Sequence, residues 1–317
     1  MKKSKKALAS LAIVGMALAI APINAFAVAG VTRLFGSDRI ETAVAVADAG
    51  WTTADTAILA PSGDANLVDA LAAAPLAGKT NPILLTDNNN LNDATKAELV
   101  KLGVKNVYVV GAINQTVVDQ VNALDGVTST VLKGSDRIGT AAAISSKLTA
   151  PAGSFVVGYG ALADALSVAS YAAANNYSIL VANLDGSLPA SEAVYQGSTV
   201  YIIGGPTLVV DIPGATRIFG ADRIATNQAV LKALTYNYDH IYVANGTDVH
   251  LVDSLVASSL AAKSNSPIIL NDIHGYGPTS IKSKLGSTSV ATALGGYTVV
   301  SDADVGQLTE TPPPTHG

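Results

Sequence analysis

Two periods of apolar residues alternate along this chain. Ile40 to Ala49 reads as a helix, Thr56 to Ala60 as a short apolar strand, and Ala65 to Ala77 as an alanine-rich helix. Pro82 to Thr86 is a strand, Asp93 to Leu102 a helix, and Asn106 to Val110 a strand that ends in glycine. The strands are apolar throughout rather than alternating, as strands buried on both faces of a parallel sheet are. The helices between them supply the crossovers that parallel pairing requires. The pattern predicts a small, doubly wound α/β unit.

That unit occurs three times. Arg33-Leu34-Phe35-Gly36-Ser37-Asp38-Arg39-Ile40-Glu41-Thr42 returns as Leu132-Lys133-Gly134-Ser135-Asp136-Arg137-Ile138-Gly139-Thr140, and again as Arg217-Ile218-Phe219-Gly220-Ala221-Asp222-Arg223-Ile224-Ala225-Thr226. Asp69-Ala70-Leu71 matches Asp164-Ala165-Leu166 and Asp253-Ser254-Leu255, and Pro82-Ile83-Leu84-Leu85 matches Ser178-Ile179-Leu180-Val181 and Pro267-Ile268-Ile269-Leu270. Val107-Tyr108-Val109-Val110-Gly111 matches Val200-Tyr201-Ile202-Ile203-Gly204, with a weaker third version at Val290–Gly295. We expect repeats at 28–126, 127–213 and 214–308, built as parallel-sheet modules packed into a compact pseudo-trimer within one chain. A copy of about 90 residues is near the lower limit of domain size, and mutual packing buries surface that no copy buries alone.

The two ends read differently. Lys2, Lys3, Lys5 and Lys6 precede an uncharged apolar run from Ala7 to Ala21 and then Ala25-Phe26-Ala27, the pattern of a cleaved secretory signal over 1–27. The run is shorter than the roughly 20 residues of a membrane span. Residues 309–317 read as a polar, proline-rich tail without a fold. Removing the leader takes four of 19 basic residues and leaves 15 against 24 acidic ones. Such a balance excludes a bulk basic surface for nucleic acid or anionic membrane. The chain has no cysteine, hence no disulfide and no thiolate metal site, and its 5% aromatic content argues against extended stacking platforms.

The recurring residues carry the candidate chemistry. Gly36, Gly134 and Gly220 allow a tight turn, and Asp38, Asp136 and Asp222 stand where an N-cap carboxylate accepts helix amides; Asp38 and Glu41 also have capping-box spacing. Arg39, Arg137 and Arg223 are harder to place, because a cation in the first turn opposes the helix dipole by about 0.3–1 kcal/mol. Asp69, Asp164 and Asp253 lie inside a helix, where aspartate has poor propensity. Two readings stay open: bidentate Arg–Asp pairs within or between copies, or arginines that contact phosphate or carboxylate groups of a polymer. The loops after the strands, at Ser62–Asp64, Thr86–Asn90, Gly204–Pro206 and Asn245–Asp248, are a second candidate region, with ordinary turn chemistry as the plainer explanation.

No Gly-x-Gly-x-x-Gly, Walker loop, Gly-x-Ser-x-Gly or His-Glu-x-x-His motif occurs. His240, His250, His274 and His316 do not recur between copies and have no zinc spacing, so we expect neither an enzyme nor a metal or other cofactor. The Arg-x-x-Gly-x-Asp-Arg-Ile-x-Thr-Ala pattern, with the Asp-Ala-Leu helix and the two strand signatures, resembles the cell wall-binding repeat 2 family of Gram-positive surface proteins over essentially all of the mature chain. The resemblance implies a Rossmann- or Toprim-like fold, three modules arranged as a trimer, and non-covalent anchoring of a secreted protein to the cell wall. It also implies an anionic secondary wall polymer, such as a teichoic-acid-like polysaccharide, as partner, with surface-layer proteins as possible neighbours. Alternatives are a wall hydrolase like an N-acetylmuramoyl-L-alanine amidase, or its modifier, and a self-associating surface-layer component. The second copy departs from the pattern with Val131 in place of Arg33 and Arg217, so three equivalent sites are not expected.

Overall fold

The computed structural model describes residues 31–63, 67–70, 72–247, 250–271 and 279–309. The expected signal segment, residues 310–317 of the tail, Asp64, Asp248, His274 and His316 lie outside the described residues. Three four-stranded sheets, parallel throughout, make up the body. The first has the order β3 (Ile83–Thr86), β2 (Thr56–Pro61), β4 (Asn106–Val110), β5 (Thr128–Leu132). The second runs β7 (Tyr177–Val181), β6 (Gly153–Val157), β8 (Thr199–Ile203), β9 (Thr216–Ile218). The third runs β11 (Ile268–Asn271), β10 (His240–Asn245), β12 (Val290–Leu294), β1 (Val31–Leu34).

The last strand of every sheet comes from the next copy round. Strand β5 precedes the second Gly-x-Asp-Arg turn yet pairs with β4, and β9 precedes the third turn yet pairs with β8. Strand β1, at the start of the first copy, closes the ring on β12, with Val31 opposite Ala291 and Leu34 opposite Leu294. The same hydrogen bond finishes each closure: the glycine amide after the third strand donates to the incoming strand, Gly111 to Leu132 O at 3.1 Å, Gly204 to Ile218 O at 3.0 Å and Gly295 to Leu34 O at 2.9 Å. These closing strands escape a search for apolar runs because they are sheet edges. Thr128, Thr130 and Val131 of β5 are exposed, as are Val31 and Thr32 of β1.

The helices of the Asp-Ala-Leu segments meet at the centre: α3 (Ala73–Ala77), α7 (Leu162–Asn175) and α10 (Leu251–Ala262) pack on one another. Small side chains let them approach closely, and the carbonyl of Ala173 lies 3.9 Å from where a Cβ on Gly78 would stand. In the first copy the expected single helix is two short ones, α2 (Leu67–Ala70) and α3. Pro75 accounts for the break, since it has no amide to donate and its ring crowds the preceding turn. Helices α1 (Arg39–Gly50), α6 (Arg137–Ser145) and α9 (Arg223–Ala233) follow the three repeated turns, and each spans a junction: α1 packs on β3 and α10, α6 on α2 and α3, and α9 on α7. Outer coverage comes from α4 (Asp93–Lys101), α5 (Gln115–Asn122), α8 (Ala190–Ala193), a 3-10 helix (Thr279–Lys284) and α11 (Asp302–Thr309). One continuous apolar core runs through all three modules, from Ile58 and Leu85 through Phe155 and Ile179 to Ile241 and Leu270.

Candidate functional site

The repeated turn is built the same way three times. Asp38 Oδ1 accepts from the Glu41 amide at 2.9 Å, Asp136 Oδ1 from Gly139 at 2.8 Å and Asp222 Oδ1 from Ala225 at 2.8 Å. Glu41 does not reach back to the cap residue itself; its carboxylate accepts from the amide and hydroxyl of Ser37, one position earlier. The motif threonine, not singled out in the sequence, accepts the glycine amide: Gly36 to Thr42 at 3.0 Å, Gly134 to Thr140 at 3.0 Å and Gly220 to Thr226 at 3.1 Å. The glycine is required by approach rather than by a left-handed torsion. A Cβ would stand 2.2 Å from Glu41 Cβ at Gly36, 2.2 Å from the Gly139 carbonyl carbon at Gly134 and 2.3 Å from the Ala225 carbonyl carbon at Gly220.

Asp164 and Asp253 sit in the first turns of α7 and α10, 8% and 6% exposed. Burial pushes each carboxyl up to about 6, and an arginine from the following copy offsets part of that rise: Arg223 for Asp164, Arg39 for Asp253. Two of the recurrent arginines thus face a recurrent aspartate across a junction between copies. Each also holds its own copy, Arg39 Nη1 donating to Ser62 O at 2.7 Å and Arg223 Nη1 to Gly246 O at 3.0 Å. The aspartates in turn press on the closing glycines. A Cβ on Gly204 or on Gly295 would come 2.7 Å from Oδ2 of Asp164 or Asp253. Asp69 lies in α2, but its side chain is outside the described residues.

Arg137 differs from the other two. Its guanidinium lies over the ring of Tyr159, with Cζ 4.2 Å from the centroid. Seven residues separate Pro61 from Asp69 and Asn245 from Asp253, but only five separate the equivalent Gly158 from Asp164. The shorter loop presents an aromatic ring where the other copies present a carbonyl.

A second set of arginines, Arg33 and Arg217, secures the closing strands. Arg33 donates to Gly295 O (2.9 Å), Val300 O (2.7 Å) and Asp302 Oδ1 (2.7 Å), and stacks on Tyr297 at 4.1 Å. Arg217 repeats this with Gly204 O (2.9 Å), Val209 O (2.8 Å) and Asp211 Oδ1 (2.7 Å). The second copy has Val131 there, 44% exposed, and no clamp.

A cleft of about 610 Å³ opens at the carboxyl ends of β6 and β8, where the second module meets the third copy. Tyr159, Asp164, Pro206, Phe219 and Arg223 line it, and Phe219 is 49% exposed. The loops expected as candidates contribute unevenly: Gly205 and Pro206 border this cleft, whereas Thr86 Oγ1 is spent on Asn90 O at 3.0 Å and Thr247 on Asn245. His240 Nε2 meets Thr292 Oγ1 at 2.7 Å, and Thr292 Oγ1 meets Thr32 Oγ1 at 2.6 Å. Thr292 is 2% exposed, and this row ties β10, β12 and β1 together. Among the described residues there is no cluster of three or more His, Asp or Glu side chains able to hold a metal ion, and no helix is long and apolar enough to cross a membrane.

Comparison with known proteins places this architecture. The family described as Cell wall binding domain 2 (CWB2) matches three times, at residues 33–120, 131–211 and 217–305. The N-acetylmuramoyl-L-alanine amidase LytC of Bacillus subtilis (strain 168) is 32% identical over 254 residues, 76% of this chain and 50% of the relative. The amidase enhancer of the same organism is 30% identical over 252 residues, 76% of this chain and 35% of the relative. The chain therefore spans half or less of the length of these relatives. Among solved structures, Cwp6 from Clostridium difficile superposes with a TM-score of 0.79 at 26% identity, covering 90% of this chain and 49% of that one. Cwp8 from the same organism gives 0.78 at 26% identity, covering 89% and 52%. Three family matches over nearly the whole described body make this chain a member of the cell wall binding domain 2 family.

Proposed function

We propose that the three repeats, 28–126, 127–213 and 214–308, form a non-catalytic body that holds an exported protein on the cell wall by binding an anionic secondary wall polymer. Family membership gives wall binding and a place at the wall or cell surface. The polymer class rests on the cleft between the second module and the third copy, which sets Arg223 and an exposed aromatic ring beside each other at the strand ends. A cation beside an apolar face suits a sugar that carries a negative group, on a protein whose net charge is otherwise −5. LytC and the amidase enhancer are named for different roles, yet both match over about 250 residues of this chain. The shared stretch is then best read as the binding part of each, and the amidase label stays with LytC.

Retention of the purified chain on isolated walls, before and after acid extraction of secondary polymers, tests this. We expect retention on intact walls, release as salt rises, and loss after extraction. Equal retention on stripped peptidoglycan would defeat the polymer reading, and clearing of wall substrate in a zymogram would defeat the non-catalytic one.

A further inference from the structure

The three copies of the recurrent arginine have been put to two uses, and the second copy stands apart. Arg39 and Arg223 are committed to a backbone carbonyl of their own copy and to the charge of an aspartate in the neighbouring module. Arg137 makes no hydrogen bond among the described residues; the stack on Tyr159 engages one face of the guanidinium and uses none of its N–H donors. Its Nη1 lies 2.9 Å from where a Cβ on Gly160 would stand, so the glycine, at φ +85°, makes the room in which the guanidinium sits.

Two further features of the same copy point the same way. Where the first and third copies carry Phe35 and Phe219, the second carries Lys133, exposed and without an ion-pair partner among the described residues. Tyr159, which carries Arg137 on its ring, also lines the 610 Å³ cleft with Phe219 and Arg223. Through Tyr159, Arg137 thus adjoins a cleft of the size of a sugar or two, whose wall combines the rings of Tyr159 and Phe219 with Asp164, Asp222 and Arg223.

We propose that Arg137, with Lys133, is the anion contact for the wall polymer, that the adjoining sugar seats in the Tyr159–Phe219 cleft, and that the chain carries one such site rather than three. This rests on the polymer-binding function proposed above. The ligand class is a sugar bearing a phosphate or carboxylate, recognised by planar charge-assisted hydrogen bonds from guanidinium. Arg39, in contrast, serves a junction, whereas Arg223 serves a junction and also lines the cleft.

Retention of full mature chains on isolated walls, together with their melting temperatures, separates the roles. Arg137→Ala is expected to lower wall affinity about tenfold or more, the worth of hydrogen bonds to a charged group. Its melting temperature should change little, because the lost stack on Tyr159 and the relief of a cation opposing a helix dipole are of similar size. Arg39→Ala, at a junction away from this cleft, is expected to melt earlier and, while folded, to bind within about threefold of the parent. Arg39→Lys takes its place if the alanine variant does not fold. Inorganic phosphate and acetate, compared as competitors at matched ionic strength, identify which anion is read, and failure of both counts against the proposal. Undiminished binding by Arg137→Ala, or an equal loss in the Arg39 variant, would overturn it. If the parent chain itself is not retained, the proposed function fails instead.

Discussion

Glu192 is fully buried in α8 at the outer edge of the second sheet, and neither carboxyl oxygen has a well-formed hydrogen bond. Burial pushes its pKa from 4.5 up to about 8, offset only in part by the nearby Val181 amide on β7. The folded chain therefore holds a proton that the unfolded chain has released. With the folded pKa raised, the stability carried by this group is full below about 4.5 and is lost as pH rises towards 8. At about 1.4 kcal/mol per pH unit, the penalty reaches about 5 kcal/mol at high pH, of which about 3 kcal/mol falls between pH 6 and 9. Asp164 and Asp253 shift in the same direction, but with pKa values of about 6 they have paid most of their penalty by the start of that window. Urea unfolding of the parent and Glu192→Gln at pH 6 and pH 9 reads the difference. The parent should lose about 3 kcal/mol more than the variant over this interval. Parallel pH dependence of the two chains would refute the placing of a protonated glutamic acid in this packing.

Two other substitutions probe the ring closure. Arg33→Ala strips two backbone carbonyls and a stacked ring of their partner at a side chain only 7% exposed, and should cost about 2–4 kcal/mol in thermal unfolding. The Asp302 contact, 46% exposed, adds little to that, and a loss under about 0.5 kcal/mol would show that β1 is held by its backbone alone. Gly204→Ala places a methyl group 2.7 Å from Asp164 Oδ2 on a backbone at φ +115°, and should cost at least about 1–3 kcal/mol by denaturant unfolding. A neutral result would mean that the aspartate can swing away, and with it the junction.

The number and class of the modules were legible because fully buried parallel strands such as Ile58–Ala60 and Ile269–Leu270 leave unbroken apolar runs, and because the turns recur. The closing strands were not legible. Val31-Thr32-Arg33-Leu34 and Thr128-Ser129-Thr130-Val131-Leu132 pair on one side only, so nothing demands a continuous apolar run from them. The cap aspartates could be read from spacing, whereas the threonine that accepts the glycine amide had no reason to stand out until the turn was folded. The arginines looked equivalent because their local sequences are. What separates Arg137 from Arg39 and Arg223 is a loop shorter by two residues some twenty positions later, and only in space does that loop meet the guanidinium.

The closure also explains why the aspartate, the arginine and the terminal glycine recur together. Each sheet has its fourth strand from the next copy, and the glycine that ends its third strand makes the hydrogen bond to that strand. In the second and third modules the buried aspartate lies against this same glycine and faces the arginine of the helix that follows the incoming strand. Strand, glycine, aspartate and arginine are thus one junction, in which backbone pairing and charge are satisfied at the same place. A copy cut at its own sequence boundaries would lose half of each such junction at both ends, leaving an open sheet edge and a buried carboxylate without its cation. The third closure, through β1, is the one junction whose halves lie at opposite ends of the chain. The ring can therefore be complete only when both β1 and β12 are present, and a body so closed keeps Arg137 and the adjoining cleft in fixed relation to each other.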